Sequence, residues 1–219
     1  MQLRIMPDNA NDTHFFRTVS VQTPWKQIYR RLGYRKGTTH LPEERKKQID
    51  KYIEEALSLV HIQGAIRRLA IRNRQPSQVE LADGTIFESH RLSAFLGNCG
   101  EVLLMAATAG STVVEEIRED TKGRDFVRGV ILDATASEIT DVALDWIMAY
   151  MNGSLRRENK ALPRKRFSAG YGDFDLKNQQ AMHRLLHLEQ IGIRITERFM
   201  LVPEKSVTAI TRIEGIQVG

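Results

Sequence analysis

The segment DFVRGVILDATASEITDVALDWIMAYM restricts the fold of this 219-residue chain most, since its helical pattern is the longest in the sequence. A helix of this length must bury an apolar face against other elements. Spacings of three and four predict a core stripe at Ile131, Thr135, Ile139, Val142, Trp146 and Ala149. A second row, Glu138, Asp141 and Asp145, places three carboxylates on one face. This row is typical of a solvated surface, with contact to a cationic ligand as the alternative.

Short strand patterns lie on both sides of the long helix. AIRRLAIRN and EVLLMAATAG are predicted strands, and Asp83-Gly84 predicts a hairpin between two shorter ones. The C-terminal strands are interrupted near Pro203. Because strands and helices follow no regular βαβ order, we predict an α+β fold, with a twisted, mostly antiparallel sheet packed against the helix around 126–151.

The chain is predicted to form one domain over residues 1–219, with residues 1–20 as a loosely ordered extension or an edge strand. No run of about eighteen apolar residues suggests a membrane span, and the N-terminus lacks the apolar core of a secretory signal. A single cysteine, Cys99, fits a reducing compartment. We therefore expect a cytoplasmic protein that does not bind membranes.

The histidines and the basic residues predict neither a metal site nor a nucleic-acid-binding site. The six histidines are scattered, and His183 and His187 lack the glutamate of a zinc-binding HExxH motif, so no metal site is predicted. The net charge of +5 includes a basic run at 156–166. Without a recognisable nucleic-acid-binding motif, this run is interpreted as a solvated connector, or else as a docking surface for an acidic protein.

The stretch RFSAGYGDFD, at 166–175, combines glycines, an arginine and aromatic rings in one connection. Glycine lets the main chain approach a ligand closely, and the planar guanidinium of Arg166 matches a carboxylate. The ring of Tyr171 offers a face to a cation or a base. This combination suits a ligand that carries a carboxylate, a positive centre and a nucleobase. Asp175 is expected to cap a helix that ends before Gly192.

The same region resembles the activation domain of cobalamin-dependent methionine synthase, which binds S-adenosylmethionine. The family has an Arg-x-x-x-Gly-Tyr element, a helix, a Gly-ϕ-x-ϕ-Thr-Glu segment (ϕ apolar) and a Pro-x-x-Ser-Val stretch. Each has a counterpart here: Arg166, Gly170 and Tyr171; Gly192, Thr196 and Glu197; Pro203, Ser206 and Val207. RRLGYRKG, FLGNCGEVLLMAATAG and ILDATASEITDVALDWI look similar to free-standing members, so the resemblance spans about residues 24–213.

The resemblance implies a reactivation subunit separate from the synthase chain. It would present the methyl group of S-adenosylmethionine to cob(II)alamin held by a cobalamin-binding methionine synthase, while a flavodoxin-like donor supplies one electron. The subunit would complete this methyltransferase reaction only with its partner, and no catalytic residue of its own is assigned. Cofactor chemistry carries such a reaction while protein groups bind and orient.

The resemblance also implies roles for individual residues. Arg166 would bind the ligand carboxylate, and Ala169, Gly170, Tyr171 and Gly172 would line the adenosine. Ala169 stands where many members have proline, and Ala149 occupies the position of a ligand-facing glutamate. The alternative is therefore a non-enzymatic adapter of the same fold, which docks on a corrinoid protein without binding S-adenosylmethionine.

Overall fold

The computed structural model describes residues 12–216. Its strands are β1 (His14–Phe16), β2 (Gln63–Gln75), β3 (Gln78–Leu81), β4 (Ile86–Glu88), β5 (Glu101–Thr108), β6 (Lys160–Ala161), β7 (Arg194–Ile195), β8 (Leu201–Val202) and β9 (Ser206–Gly215). A seven-stranded sheet has the order β4-β3-β2-β5-β9-β6, and β1 pairs with β2 beside this path. Every pairing among these strands is antiparallel, and β7 and β8 form a separate small ladder.

Six α-helices accompany the sheet in the described part of the chain. The helices are α1 (Trp25–Arg31), α2 (Glu43–Leu59), α3 (His90–Leu96), α4 (Ser111–Glu119), α5 (Phe126–Leu155) and α6 (Asn178–Leu186). Helices α1 and α2 each begin directly after a proline, a residue that favours the start of a helix. Single turns at Asp120–Arg124, Arg156–Glu158 and Leu188–Ile191 complete the helical structure.

Strand β5 is buried on both faces, as its continuous apolar sequence predicts. Val102, Leu104 and Ala106 face a core beneath α3 and α6, whereas Leu103 and Met105 face a second core beneath α5. All five side chains are fully buried, and successive side chains of a strand point to opposite faces. The sheet is therefore the middle layer between α5 on one side and α3 with α6 on the other.

Helix α5 buries the N-terminal half of its predicted stripe, at Ile131, Thr135 and Ile139, but the C-terminal half of the stripe that meets the sheet differs from the predicted one. Ala149 is exposed, and Val142 and Trp146 are only partly buried. The residues against the sheet include Ile139, Ala143, Leu144, Ile147 and Met151. Apolar residues occur on several faces of α5 because α2 and α4 also cover it, so spacing alone did not identify the sheet-facing row.

Gly64 of β2 permits the close approach of α5. A β-carbon added there would lie 2.7 Å from Ile147 Cδ1 and 3.1 Å from the carbonyl oxygen of Ala106. The contact fixes the height of α5 over the sheet, and with it the position of the helix's acidic row.

The N-terminal prediction is tested only in part. His14–Phe16 forms the predicted edge strand against β2, and residues 1–11 lie outside the described residues. Within residues 12–216, no helix is both long and apolar enough to cross a membrane.

Candidate ligand-binding site

Two phenylalanines hold the loop at 166–175. The backbone of Phe167 exchanges two hydrogen bonds with Ile210 of β9, at 2.9 and 2.8 Å. Phe174 is 1% exposed and meets the ring of Phe87 edge-on, with 5.3 Å between ring centroids. The residues between the two phenylalanines are therefore attached at both ends to the core beneath α3 and α6.

Both glycines of this loop have backbone conformations that favour glycine. Gly170 has φ +90° and Gly172 has φ +61°. The N–H of Gly170 donates to the carbonyl of Phe174 at 2.7 Å and closes the turn. A β-carbon on Gly172 would lie 2.6 Å from Cδ of Arg91, so Gly172 permits close contact with that side chain. The glycines therefore shape the turn.

Asp173 ties the loop to α3 across 84 residues of sequence. Its Oδ1 accepts a hydrogen bond from the Ser89 hydroxyl at 2.6 Å, and its Oδ2 accepts one from the His90 N–H at 2.8 Å. The hydroxyl oxygen of Ser89 in turn accepts from the Leu92 N–H and caps α3. The Ser89 bond, with further bonds from the Arg91 and His90 N–H groups, lowers the pKa of Asp173 below its ordinary value.

We expect Asp173→Asn to lower the denaturant midpoint at pH 7, because the amide accepts hydrogen bonds less strongly than the carboxylate. A lowered folded-state pKa contributes stability above the unfolded-state pKa and loses it as the pH falls through the folded-state value. The difference between native and variant chains should therefore shrink in acid. Asp175→Asn is the matched control, since Asp175 accepts locally from the Lys177 N–H. A native-to-Asp173→Asn difference that does not vary with pH would contradict this account.

A cleft of about 550 Å³ opens beside the loop. Its volume lies within the range of about 300–1,000 Å³ usual for small-molecule sites. Tyr171 is 69% exposed, so its ring is free to cover a ligand. This ligand cleft is lined by Asp141, Arg166, Phe167, Ser168, Ala169, Tyr171, Gln179, Ser206, Val207 and Thr208.

The predicted ligand residues are only partly brought together. Arg166, Ala169 and Tyr171 line the ligand cleft, and Gly170 and Gly172 are not among its lining residues. The methyl group of Ala169 also packs into the core beneath α3 and α6. The structure thus separates three cleft-lining residues from two turn-forming glycines.

Arg166 meets two residues of the acidic row on α5. Its Nη1 forms an ion pair with Asp145, and its Nη2 lies 3.7 Å from Asp141 Oδ1. The third acid, Glu138, points to α1, where it accepts from Arg31 Nε at 2.6 Å. Asp141 and Asp145 therefore reach the site, while Glu138 connects two helices.

Opposing influences act on the pKa of Asp141. Partial desolvation raises the pKa of this carboxyl above its ordinary value although about half of the side chain is exposed, Arg166 and Arg31 act against the rise, and nearby Glu138 and Asp145 add to it. A cation entering the ligand cleft would favour the ionised form of Asp141.

Several polar residues of the ligand cleft were not predicted as site residues. Gln179 comes from α6, and its Oε1 accepts from the Thr208 hydroxyl of β9 at 2.5 Å. Ser206 precedes Thr208 by two residues and lies on the same face of the strand. Ser206 and Val207 belong to the Pro-x-x-Ser-Val stretch, and the position of this stretch beside the loop follows from the pairing of Phe167 with β9.

The helix after the loop is shorter than predicted. The Asp175 carboxylate accepts a hydrogen bond from the Lys177 N–H and forms a turn before the helix. Helix α6 then covers Asn178–Leu186. His187 has φ +48° and ends the α-helix, and a 3-10 turn continues to Ile191. The predicted stop before Gly192 is confirmed for the helical region as a whole.

The basic run at 156–166 is divided in the structure. Arg156 and Arg157 are exposed, while Lys160 bonds Glu101 at 2.5 Å. Arg166 belongs to the ligand cleft. Among residues 12–216, no group of three or more histidine, cysteine or acidic side chains is arranged to hold a metal ion.

The fold is similar to that of a solved domain. The chain superposes on the MetH reactivation domain bound to AdoHcy with a TM-score of 0.64 and 13% sequence identity, over 86% of this chain and 73% of that one. No family model matches the sequence, and no curated protein matches it. At this identity the likeness shows the fold alone, and it confirms the predicted α+β class.

Proposed function

We propose that this chain is an S-adenosylmethionine-binding reactivation subunit for a cobalamin-dependent methionine synthase. The observation that carries the proposal is the position of Arg166, in a cleft beside the glycine-containing loop of a fold shared with a domain solved with AdoHcy. Arg166 is 22% exposed, so a carboxylate bound to it would be largely removed from water.

The other groups of the ligand cleft fit the remaining parts of S-adenosylmethionine. The hydroxyls of Ser206 and Thr208 and the amide of Gln179 supply donors and acceptors suited to a nucleoside. Asp141 supplies an anion for the ammonium group, and the ring of Tyr171 covers a base or the sulfonium. Each part of the ligand therefore has a chemically matched group among the lining residues.

The methyl group on the sulfonium is the reactive part of this ligand. Cobalamin held by the partner would accept this methyl group, with one electron supplied by a flavodoxin-like donor. S-adenosylhomocysteine would be left in the ligand cleft as the second product. The chain's own residues bind the ligand and leave the methyl group accessible to the partner.

Calorimetric titration of the native chain with S-adenosylmethionine tests the binding step. Saturable binding with one ligand per chain supports the proposal, and S-adenosylhomocysteine should bind at the same site. Undetectable binding at millimolar ligand would instead favour the adapter. Two observations agree with that second candidate: Arg166 already meets two carboxylates, and Ala149 is an exposed alanine where the resemblance implies a glutamate.

We expect Asp141→Asn and Asp145→Asn to change ligand affinity in opposite directions. Asp141 lines the ligand cleft and would attract the ammonium, so Asp141→Asn should weaken binding. Asp145 is 64% exposed and competes for Arg166, so Asp145→Asn should strengthen binding. Each change should be up to about fivefold, because partly exposed ion pairs contribute about 0.2–1 kcal/mol. Calorimetry on both variants measures the effect, and changes of the same sign would contradict these roles.

A further inference from the structure

A second pocket lies next to α1 and shares no lining residue with the ligand cleft. It has a volume of about 540 Å³, within the usual range for small-molecule sites. We call it the α1 pocket, and it is lined by Trp25, Lys26, Tyr29, Arg30, Tyr34, Arg35 and Lys36. Three of these residues are aromatic and the other four are cations.

The aromatic walls are built by the turn that ends α1. Gly33 has φ +88°, and the following N–H of Tyr34 donates to the carbonyl of Tyr29 at 2.9 Å. The chain thereby folds back, and the two tyrosine rings meet edge-on with 5.7 Å between centroids. The Tyr29 hydroxyl donates to Asp50 Oδ1 at 2.5 Å, which fixes that ring from α2. Trp25 adds a third ring that is 38% exposed.

The cations of the α1 pocket differ from several other arginines of the chain, which have carboxylate partners. Arg31 of α1, Arg68 of β2 and Arg128 of α5 each pair with carboxylates. Across residues 12–216, no ion pair is formed by the four cations that line the pocket: Lys26, Arg30, Arg35 and Lys36. Positive charge that is not neutralised beside an apolar pocket favours an anionic ligand with a flat apolar part.

We propose that the α1 pocket binds a nucleoside phosphate. Aromatic side chains stack on a base with little regard to its identity, and lysine and arginine bind phosphate as a point charge and a planar fork. The site is independent of the proposed S-adenosylmethionine site, since the two pockets share no lining residue.

Calorimetric titration of the full chain with ATP tests the proposal, with saturating S-adenosylhomocysteine present to occupy the ligand cleft. ATP should bind in that mixture, and adenosine and inorganic tripolyphosphate should each bind more weakly than ATP. Tyr34→Ala should weaken ATP binding about tenfold or more, because loss of base stacking typically has an effect of this size. The double variant Arg30→Ala/Arg35→Ala should have a similar effect through the phosphates.

Arg156→Ala/Arg157→Ala is the matched control, since it removes the same charge from another exposed basic stretch. It should leave ATP affinity unchanged. An equal loss in both double variants, tripolyphosphate binding as tight as ATP, or no ATP binding at millimolar concentration would each overturn the proposal. Arg166→Ala should leave ATP affinity unchanged, whereas it should weaken S-adenosylmethionine binding. Titrating this variant with each ligand therefore shows separately whether either proposal fails.

Discussion

We expect Arg166→Ala to weaken S-adenosylmethionine binding by about thirtyfold or more. Truncating one partner of a largely desolvated charge pair typically costs about 2–5 kcal/mol, and each 1.4 kcal/mol is about tenfold in dissociation constant. Arg166→Lys should recover only part of the loss, because a point charge cannot replace the planar fork of the guanidinium. Calorimetric titration of the three proteins measures the effect.

The stability of the Arg166 variants serves as the control. Arg166 pairs with Asp141 and Asp145, which are both more than half exposed, so the ion pairs should contribute little to folding. The melting temperature of Arg166→Ala should therefore stay close to that of the native chain. Unchanged affinity in a folded Arg166→Ala protein would remove Arg166 from the site.

Phe174→Ala should destabilise the fold by about 3–5 kcal/mol, as is typical when a buried phenylalanine becomes alanine. Phe174 is 1% exposed and packs on Phe87, so its loss leaves a cavity in the core beneath α3 and α6. The loop would also lose one of its two attachments, so ligand affinity should fall as well. Denaturant unfolding and calorimetry measure the two effects separately.

Tyr171→Ala is the matched control, since it removes an aromatic ring three residues away in the same loop. Tyr171 is 69% exposed, and substitutions at such positions usually change stability by less than about 0.5 kcal/mol. Its stability should be unchanged and its ligand affinity should fall. Equal destabilisation by both substitutions would contradict the distinction between a core ring and a ligand-facing ring.

Local sequence patterns predicted the secondary structure well where neighbouring residues alone determine the element. Asp83-Gly84 gives the hairpin between β3 and β4 because the turn chemistry is contained in adjacent residues. The apolar run EVLLMAATAG likewise predicts the strand β5.

Features that depend on distant contacts could not be predicted in the same way. The bond between Asp173 and Ser89 spans 84 residues, and Gln179 enters the ligand cleft because α6 packs beside β9. The C-terminal half of the α5 stripe was misplaced because the sheet, α2 and α4 all pack against that helix. The pairing of Arg166 with Asp145 likewise follows from where α5 crosses the sheet.

Transfer of a labelled methyl group tests the central claim most directly. The assay would contain a cobalamin-dependent methionine synthase that lacks its own activation domain, with its cofactor in the cob(II)alamin state. A one-electron donor and methyl-labelled S-adenosylmethionine would be added. We predict labelled methylcobalamin on the synthase when this chain is present, and about thirtyfold less at subsaturating ligand with Arg166→Ala. Labelling that is the same with and without the native chain would contradict the account.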